Sequence, residues 1–202
     1  MIFDVLILGG GVSSMSCALV LGSANNKPFV SNKKIGVFTH QKTSALKEAL
    51  FNNVYGIPAG TLGADLLKES TGHLLEKYPH ITQIPNEKVL KIEGTAPEFA
   101  VTTNKKTYKT SIIVVGVGSA NTFAIEGLMP FVESHQKSLP EKQRIQLKNS
   151  DHKVKEGIYV IGTLAGWRSQ LAIASGSGAA VATDILTLWN GGIQTHAHDS
   201  IR

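Results

Sequence analysis

The sequence holds one cysteine, Cys17, in 202 residues, and aromatic side chains make up only 6% of it. A single thiol excludes an intramolecular disulfide, a CxxC redox pair and a multi-cysteine zinc site. Any redox work therefore needs a cofactor. Charged residues are also sparse, at 17% against 42% hydrophobic. No run approaches the roughly 18 continuous apolar residues of a membrane span. The N-terminus lacks the basic stretch, apolar core and small-residue cleavage site of a secretory leader. These absences lead to the expectation of a soluble, cytoplasmic protein with no membrane partner. The formal charge is +5, but the lysines fall in loop-like stretches without interleaved aromatics. That pattern reads as solvated loops, not as a nucleic-acid surface.

Glycine is plentiful, with 20 residues, and its placement carries most of the information. The length fits one domain, read here as 1–190 with a polar tail at 191–202. Ile2 to Leu8 is a short apolar run suited to a strand buried on both faces. Gly9, Gly10 and Gly11 follow, and Val12 to Ala24 has helical spacing. Ile35 to Thr39 reads as a second parallel strand, Lys42 to Phe51 as a short helix, and Leu62 to Tyr78 as an amphipathic helix with Leu62, Leu66, Leu67, Leu74 and Leu75 on one face. Between His80 and Tyr108, alternating runs separated by turn-formers predict a small antiparallel meander. Ile112 to Val117 and Gly157 to Gly162 read as further buried strands, and Gln170 to Trp189 as a long helix with a small-residue first half. Asn121 to Asp151 shows little periodicity. The fold class expected is α/β: a Rossmann-like domain with a central parallel sheet, helices and a small antiparallel β-meander.

Gly9-x-Gly11-x-x-Ser14 lies between a strand and a helix, with the spacing of the dinucleotide fingerprint. The first glycine allows the tight turn, and the second lets backbone approach a pyrophosphate. The N–H groups of Gly11, Val12 and Ser13 then face the phosphates at the positive end of a helix dipole. Ser14 replaces the third glycine, with a hydroxyl that is a further candidate phosphate donor. At the end of the second strand, where an acid usually binds the adenosine ribose, stand Thr39, His40 and Gln41.

Four segments together resemble the FAD-binding half of thioredoxin-reductase-like pyridine nucleotide-disulfide oxidoreductases. Asp4 to Gly11 is similar to that family's N-terminal FAD strand and phosphate loop. Asn53 to Gly60, with Tyr55 and Pro58, resembles the segment that runs past the flavin. Thr110 to Gly118 is similar to the strand that ends in Ala-Thr-Gly. Gly157 to Thr163, then Arg168 to Gly176, resemble the second FAD motif, a strand ending in Gly-Asp before a helix beside the flavin ring. The resemblance implies a Rossmann-like FAD-binding domain with FAD as cofactor, contacted by Gly9, Gly11, Val12, Ser13, Ser14, Thr39, His40, Gly118, Gly162, Thr163, Arg168, Ser169, Gln170 and Leu171. Trp167 is placed to cover a ring face, or to pair with Arg168 as a cation–π contact.

The family's inserted NADPH domain and its CxxC are both missing from this sequence. The resemblance is thus to a compact form holding the FAD domain alone, with electrons supplied by an external reductase or NAD(P)H. No catalytic base or nucleophile is recognisable, so the reaction implied is flavin-mediated electron or hydride transfer between an external donor and acceptor. Thr39/His40 and Thr163 stand where the family has acids. Replacing two charge-assisted hydrogen bonds, about 1.5 to 3 kcal/mol each, by neutral ones of about 0.5 to 1.5 weakens binding by roughly 30- to 150-fold. The alternative is a non-enzymatic nucleotide-binding or regulatory module that has lost tight FAD binding. His196, His198 and Asp199 form a ligand-like set in the tail, but without further ligands no metal site is expected.

Overall fold

The computed structural model describes residues 2–40 and 44–198. β1 (Ile2–Leu8) is followed by α1 (Val12–Ser23) and β2 (Ile35–Phe38). β3 (Leu50–Phe51) and β4 (Thr61–Leu62) form a small hairpin ahead of α2 (Gly63–Lys77) and β5 (Thr82–Ile84). The meander consists of β6 (Val89–Thr95), β7 (Glu98–Thr103) and β8 (Thr107–Val115). β9 (Val132–Ser134), β10 (Ile145–Leu147), β11 (Lys153–Lys155), β12 (Ile158–Val160) and α3 (Leu171–Trp189) complete the order.

β12, β8, β1, β2 and β5 lie side by side and parallel, with β11 antiparallel at one edge. Side chains alternate across a strand, and here the alternation divides the interior into two cores. Val5 and Ile7 of β1 join Val37, Ile112 and Val114 in a layer with Cys17, Ala18 and Leu21 of α1, Leu74 of α2 and Val181, Ile185 and Leu186 of α3. Leu6 and Leu8 join Phe38, Ile113, Val115, Ile158 and Val160 in a second layer covered by Ile92, Phe99 and Val101 of the meander. The sheet is thus sandwiched between helices on one face and a meander on the other. Each large aliphatic side chain fully buried in this way contributes about 1.5 to 3 kcal/mol.

α1 and α3 pack unusually closely, because small residues line their contact. A Cβ on Gly178 would strike the carbonyl of Ser13, and Ser16 Oγ donates to the carbonyl of Ser175 at 2.8 Å. This crossing, together with the paired strands, fixes where the two helices begin.

Several expectations need correction. Residues 42 and 43 of the expected Lys42–Phe51 helix lie outside the described residues. The rest forms a 3-10 turn over Ala45–Glu48, opened by Ser44 Oγ accepting from Leu46 N–H, and then β3. Tertiary pairing of Leu50 with Leu62 overrides a short helical pattern there. Only Leu67 and Leu74 of the expected apolar face of α2 are buried, while Leu62 and Leu75 are exposed. The strand expected from Ile112 begins at Thr107 and stops at Val115, leaving Val117 exposed. α3 is itself long and apolar enough, by composition alone, to cross a membrane. One of its faces is buried against α1 and β1 in the helical core. The polar tail is tied back onto α3, with Thr195 N–H donating to Thr187 Oγ1 at 3.0 Å.

Candidate functional site

In register, Leu8 of β1 and Val160 of β12 both pair with Val115 of β8, so three parallel strands end at one level. The turns that leave them are glycine-rich: Gly9 to Gly11, Gly116 to Gly118 and Gly162 to Gly166. β2 runs from β1 to one side and β8 lies on the other. Ligands of open α/β sheets bind at such a reversal of strand order, beyond the carboxyl ends.

The two fingerprint glycines differ physically. Gly9 has φ +115°, and a Cβ there would collide with the carbonyl of Gly116, so the β1 and β8 exits touch through bare backbone. Gly11 has φ −81° and no protein atom within 4 Å of where its Cβ would stand. The space beside Gly11 is open, as close approach of a phosphate requires. Gly118, with φ +85°, faces equally open space.

Both helices that start here lack the usual side-chain cap. Gly11 caps α1 and Gln170 caps α3, neither makes a capping hydrogen bond, and neither first turn contains an acid. Helix starts leave N–H groups without intrahelical partners, and these two leave them at the same end of the sheet. Such free helix starts are suited to an anionic ligand. Exposed apolar side chains accompany them: Val117 after β8, Trp167 after β12 and Ile173 in the first turn of α3.

Val12 sits half-buried at the first position of α1. Ser13 is buried beside the β12 turn, where a Cβ on Gly162 would meet its Oγ at 2.8 Å. The Ser14 hydroxyl, expected as a candidate phosphate donor, is engaged within the protein. Ser14 is fully buried, and its Oγ donates to the carbonyl of Gly116 at 3.3 Å. Its hydroxyl ties α1 to the β8 exit, which is the close helix packing the third glycine of the fingerprint normally permits. Gly162, with φ +69°, donates its N–H to Ser177 Oγ at 2.8 Å, pinning the β12 turn to α3. Thr163 is half-buried in that turn, Arg168, Ser169 and Gln170 are exposed beyond it, and Leu171 is buried at the start of α3. Trp167 does not pair with Arg168: Lys137 Nζ stands 4.4 Å from its ring centroid.

Thr39 is fixed by its N–H donating to the carbonyl of Ile84 at 3.0 Å. His40 follows at the β2 exit, half-buried, with Nδ1 enclosed and without a hydrogen-bond partner. Such orphaned buried atoms are rare in proteins. Gln41 lies outside the described residues. Tyr55 and Pro58 are exposed on the β3–β4 loop. His196 and His198 lie with ring centroids 4.8 Å apart, and Asp199 is outside the described residues. No group of three metal-ligating side chains occurs among the described residues. Burial pushes the Cys17 thiol well up from its ordinary value, so it is no ready nucleophile.

One feature of the site region carried no signal in the sequence. The weakly periodic stretch folds as the β9–β10 hairpin and packs on the β12 turn, with Asn149 Nδ2 donating to the carbonyl of Ala165 at 3.3 Å. Between hairpin and turn lies a cavity of about 350 Å³, lined by Glu133, Lys137, Gln146, Lys148 and Gly166 among others.

A family model described as pyridine nucleotide-disulphide oxidoreductase matches residues 3–168. Among solved structures, a thioredoxin reductase from Gloeobacter violaceus superposes with a TM-score of 0.74 at 14% identity, covering 100% of this chain and 99% of that one. An oxidoreductase from Agrobacterium tumefaciens gives 0.70 at 14% identity, covering 93% and 99%. A GidA-related protein from Thermus thermophilus gives 0.67 at 15% identity, covering 92% and 99%. At such identities the likeness is one of fold. No curated protein matches the sequence.

Proposed function

The chain belongs to the pyridine nucleotide-disulphide oxidoreductase family, and from that premise we propose that it binds FAD across the carboxyl ends of β1, β8 and β12 and serves an external electron donor and acceptor. The observation that carries this reading is a pair of uncapped helix starts at the carboxyl end of the sheet, with open space beside Gly11 at the first of them. FAD supplies the electron- and hydride-transfer chemistry that the side chains present do not. The N–H groups at the start of α1 hold the pyrophosphate, and Gly9 lets the loop turn without a side chain in the way. The start of α3 presents amide N–H groups and the positive end of a helix dipole, which favour negative charge on the ligand end they face. Thr163 and the Thr39/His40 pair offer no carboxylate, and carboxylates would grip harder. Binding is accordingly reversible rather than permanent. The external donor is NAD(P)H or a separate reductase.

Anaerobic reduction of the FAD-loaded chain tests this function. Bleaching of the flavin absorbance by dithionite, with slower bleaching by NAD(P)H or an added reductase, is the expected result. A chain that takes up no flavin is a regulatory module of the same fold and ends the oxidoreductase reading.

A further inference from the structure

The cavity of about 350 Å³ between the β9–β10 hairpin and the β12 turn has walls that hold one another in place. Gln146 is buried; its Oε1 accepts from the Gln136 N–H at 3.1 Å, and its Nε2 donates to Glu133 Oε1 at 2.7 Å. Gly166, with φ +87°, meets that amide through bare backbone, since a Cβ there would stand 2.8 Å from Gln146 Oε1. The Lys137 N–H donates to His135 Nδ1 at 3.1 Å and so fixes the turn after β9. Asn149 Nδ2 donates to the carbonyls of Leu147 and Ala165, which joins β10 to the β12 turn. The charged groups of the cavity, by contrast, are unmatched. Lys137, Lys148 and Glu133 all line it, yet none makes an ion pair with a described residue. Lys137 Nζ rests on the exposed ring of Trp167, a weak hold at such a site. Glu133 takes both its hydrogen bonds, from Gln146 and Gln136, on Oε1, and Oε2 accepts none among the described residues.

We propose that this cavity binds a small amino dicarboxylate, a ligand of the size and charge of an acidic amino acid, at a site separate from the FAD cleft. The ammonium groups of Lys137 and Lys148 take the carboxylates, and Glu133 Oε2 accepts from the ligand's ammonium, so each charge in the cavity meets its opposite. A few convergent polar groups in a concave, hydrogen-bonded wall are the usual make-up of a small-molecule site. At about 30 Å³ per water-sized group, the volume holds roughly ten non-hydrogen atoms. Inorganic phosphate fits less well, because Glu133 would oppose it and find no donor. None of these residues is among the FAD contacts, so the proposal stands or falls apart from that reading.

Calorimetric titration of the full chain with L-glutamate, glutarate and inorganic phosphate, separately, tests it. L-glutamate is expected to bind saturably and at least about tenfold more tightly than glutarate, which lacks the amino group. Lys148→Gln, a change on an exposed side chain, should weaken L-glutamate by more than about tenfold. Glu133→Gln should bring L-glutamate and glutarate to equal affinity, and both variants should take up FAD as the native chain does. No saturable binding of L-glutamate, tighter binding of phosphate, or affinities unchanged in the two variants overturns the proposal. Loss of FAD uptake in either variant would make the two sites one, and overturns it as well.

Discussion

Gly9 carries a positive φ and stands where a Cβ would enter the Gly116 carbonyl, whereas Gly11 has an ordinary φ and open space around it. The same substitution therefore has opposite consequences at two positions. Gly9→Val should destabilise the fold by at least about 2 kcal/mol, from backbone strain and overpacking together. Gly11→Val should cost less than about 1 kcal/mol of stability, yet weaken FAD binding by more than about tenfold, because its side chain fills the ligand's space. Chemical denaturation and flavin titration of both variants check the pair. Away from the site, Glu87 is 7% exposed. Burial alone would push its carboxyl up, but donation from Thr103 at 2.7 Å and Tyr108 at 2.9 Å, with Lys105 and Lys106 nearby, holds it below the usual carboxylate range. A depressed folded-state value means the carboxylate stabilises the fold above its unfolded value of about 4.3. That contribution is lost as pH falls through the folded value. Glu87→Gln should therefore be less stable than the native chain at neutral pH, with the difference shrinking in acid. Denaturant melts across that range test it.

At the scale of elements, the α1–α3 crossing holds the two helix starts together. Gly178 is in contact with the Ser13 backbone, so Gly178→Val should force the helices apart and cost about 1 to 3 kcal/mol. Because the crossing also positions both sets of N–H groups, flavin affinity should fall together with the melting temperature. This distinguishes it from Gly11→Val, where affinity falls and melting barely moves. The β1–glycine turn–α1 unit was legible in the sequence because a mostly apolar run, three glycines and a 3.6-residue period follow one another directly. β8 was only half legible. Its residues 107–110 pair with β7 and alternate, while residues 113–115 lie between β1 and β12 and are apolar throughout. One strand with two environments reads as two patterns. The β9–β10 hairpin left no pattern because each strand is three residues long, too short for a period to register.

For the molecule as a whole, the family's order of motifs and the parallel sheet were readable from the sequence, because glycine turns at strand ends are local features. The partners of individual atoms were not. Ser14 Oγ reaches Gly116, and Trp167 stacks under Lys137 from a segment whose position depends on tertiary packing. Between β8 and β12 the chain builds the small hairpin and its polar cavity beside the β12 turn, and no second glycine fingerprint occurs there. The proposed FAD site is therefore assigned to the one cleft with a glycine fingerprint. Equilibrium dialysis of the full chain against FAD, in parallel with Gly11→Val, tests this most directly. Saturable uptake of one FAD per chain, released on further dialysis and lost in Gly11→Val, is the expected result. Absence of saturable uptake, or uptake unaffected by Gly11→Val, would contradict the assignment of the cleft.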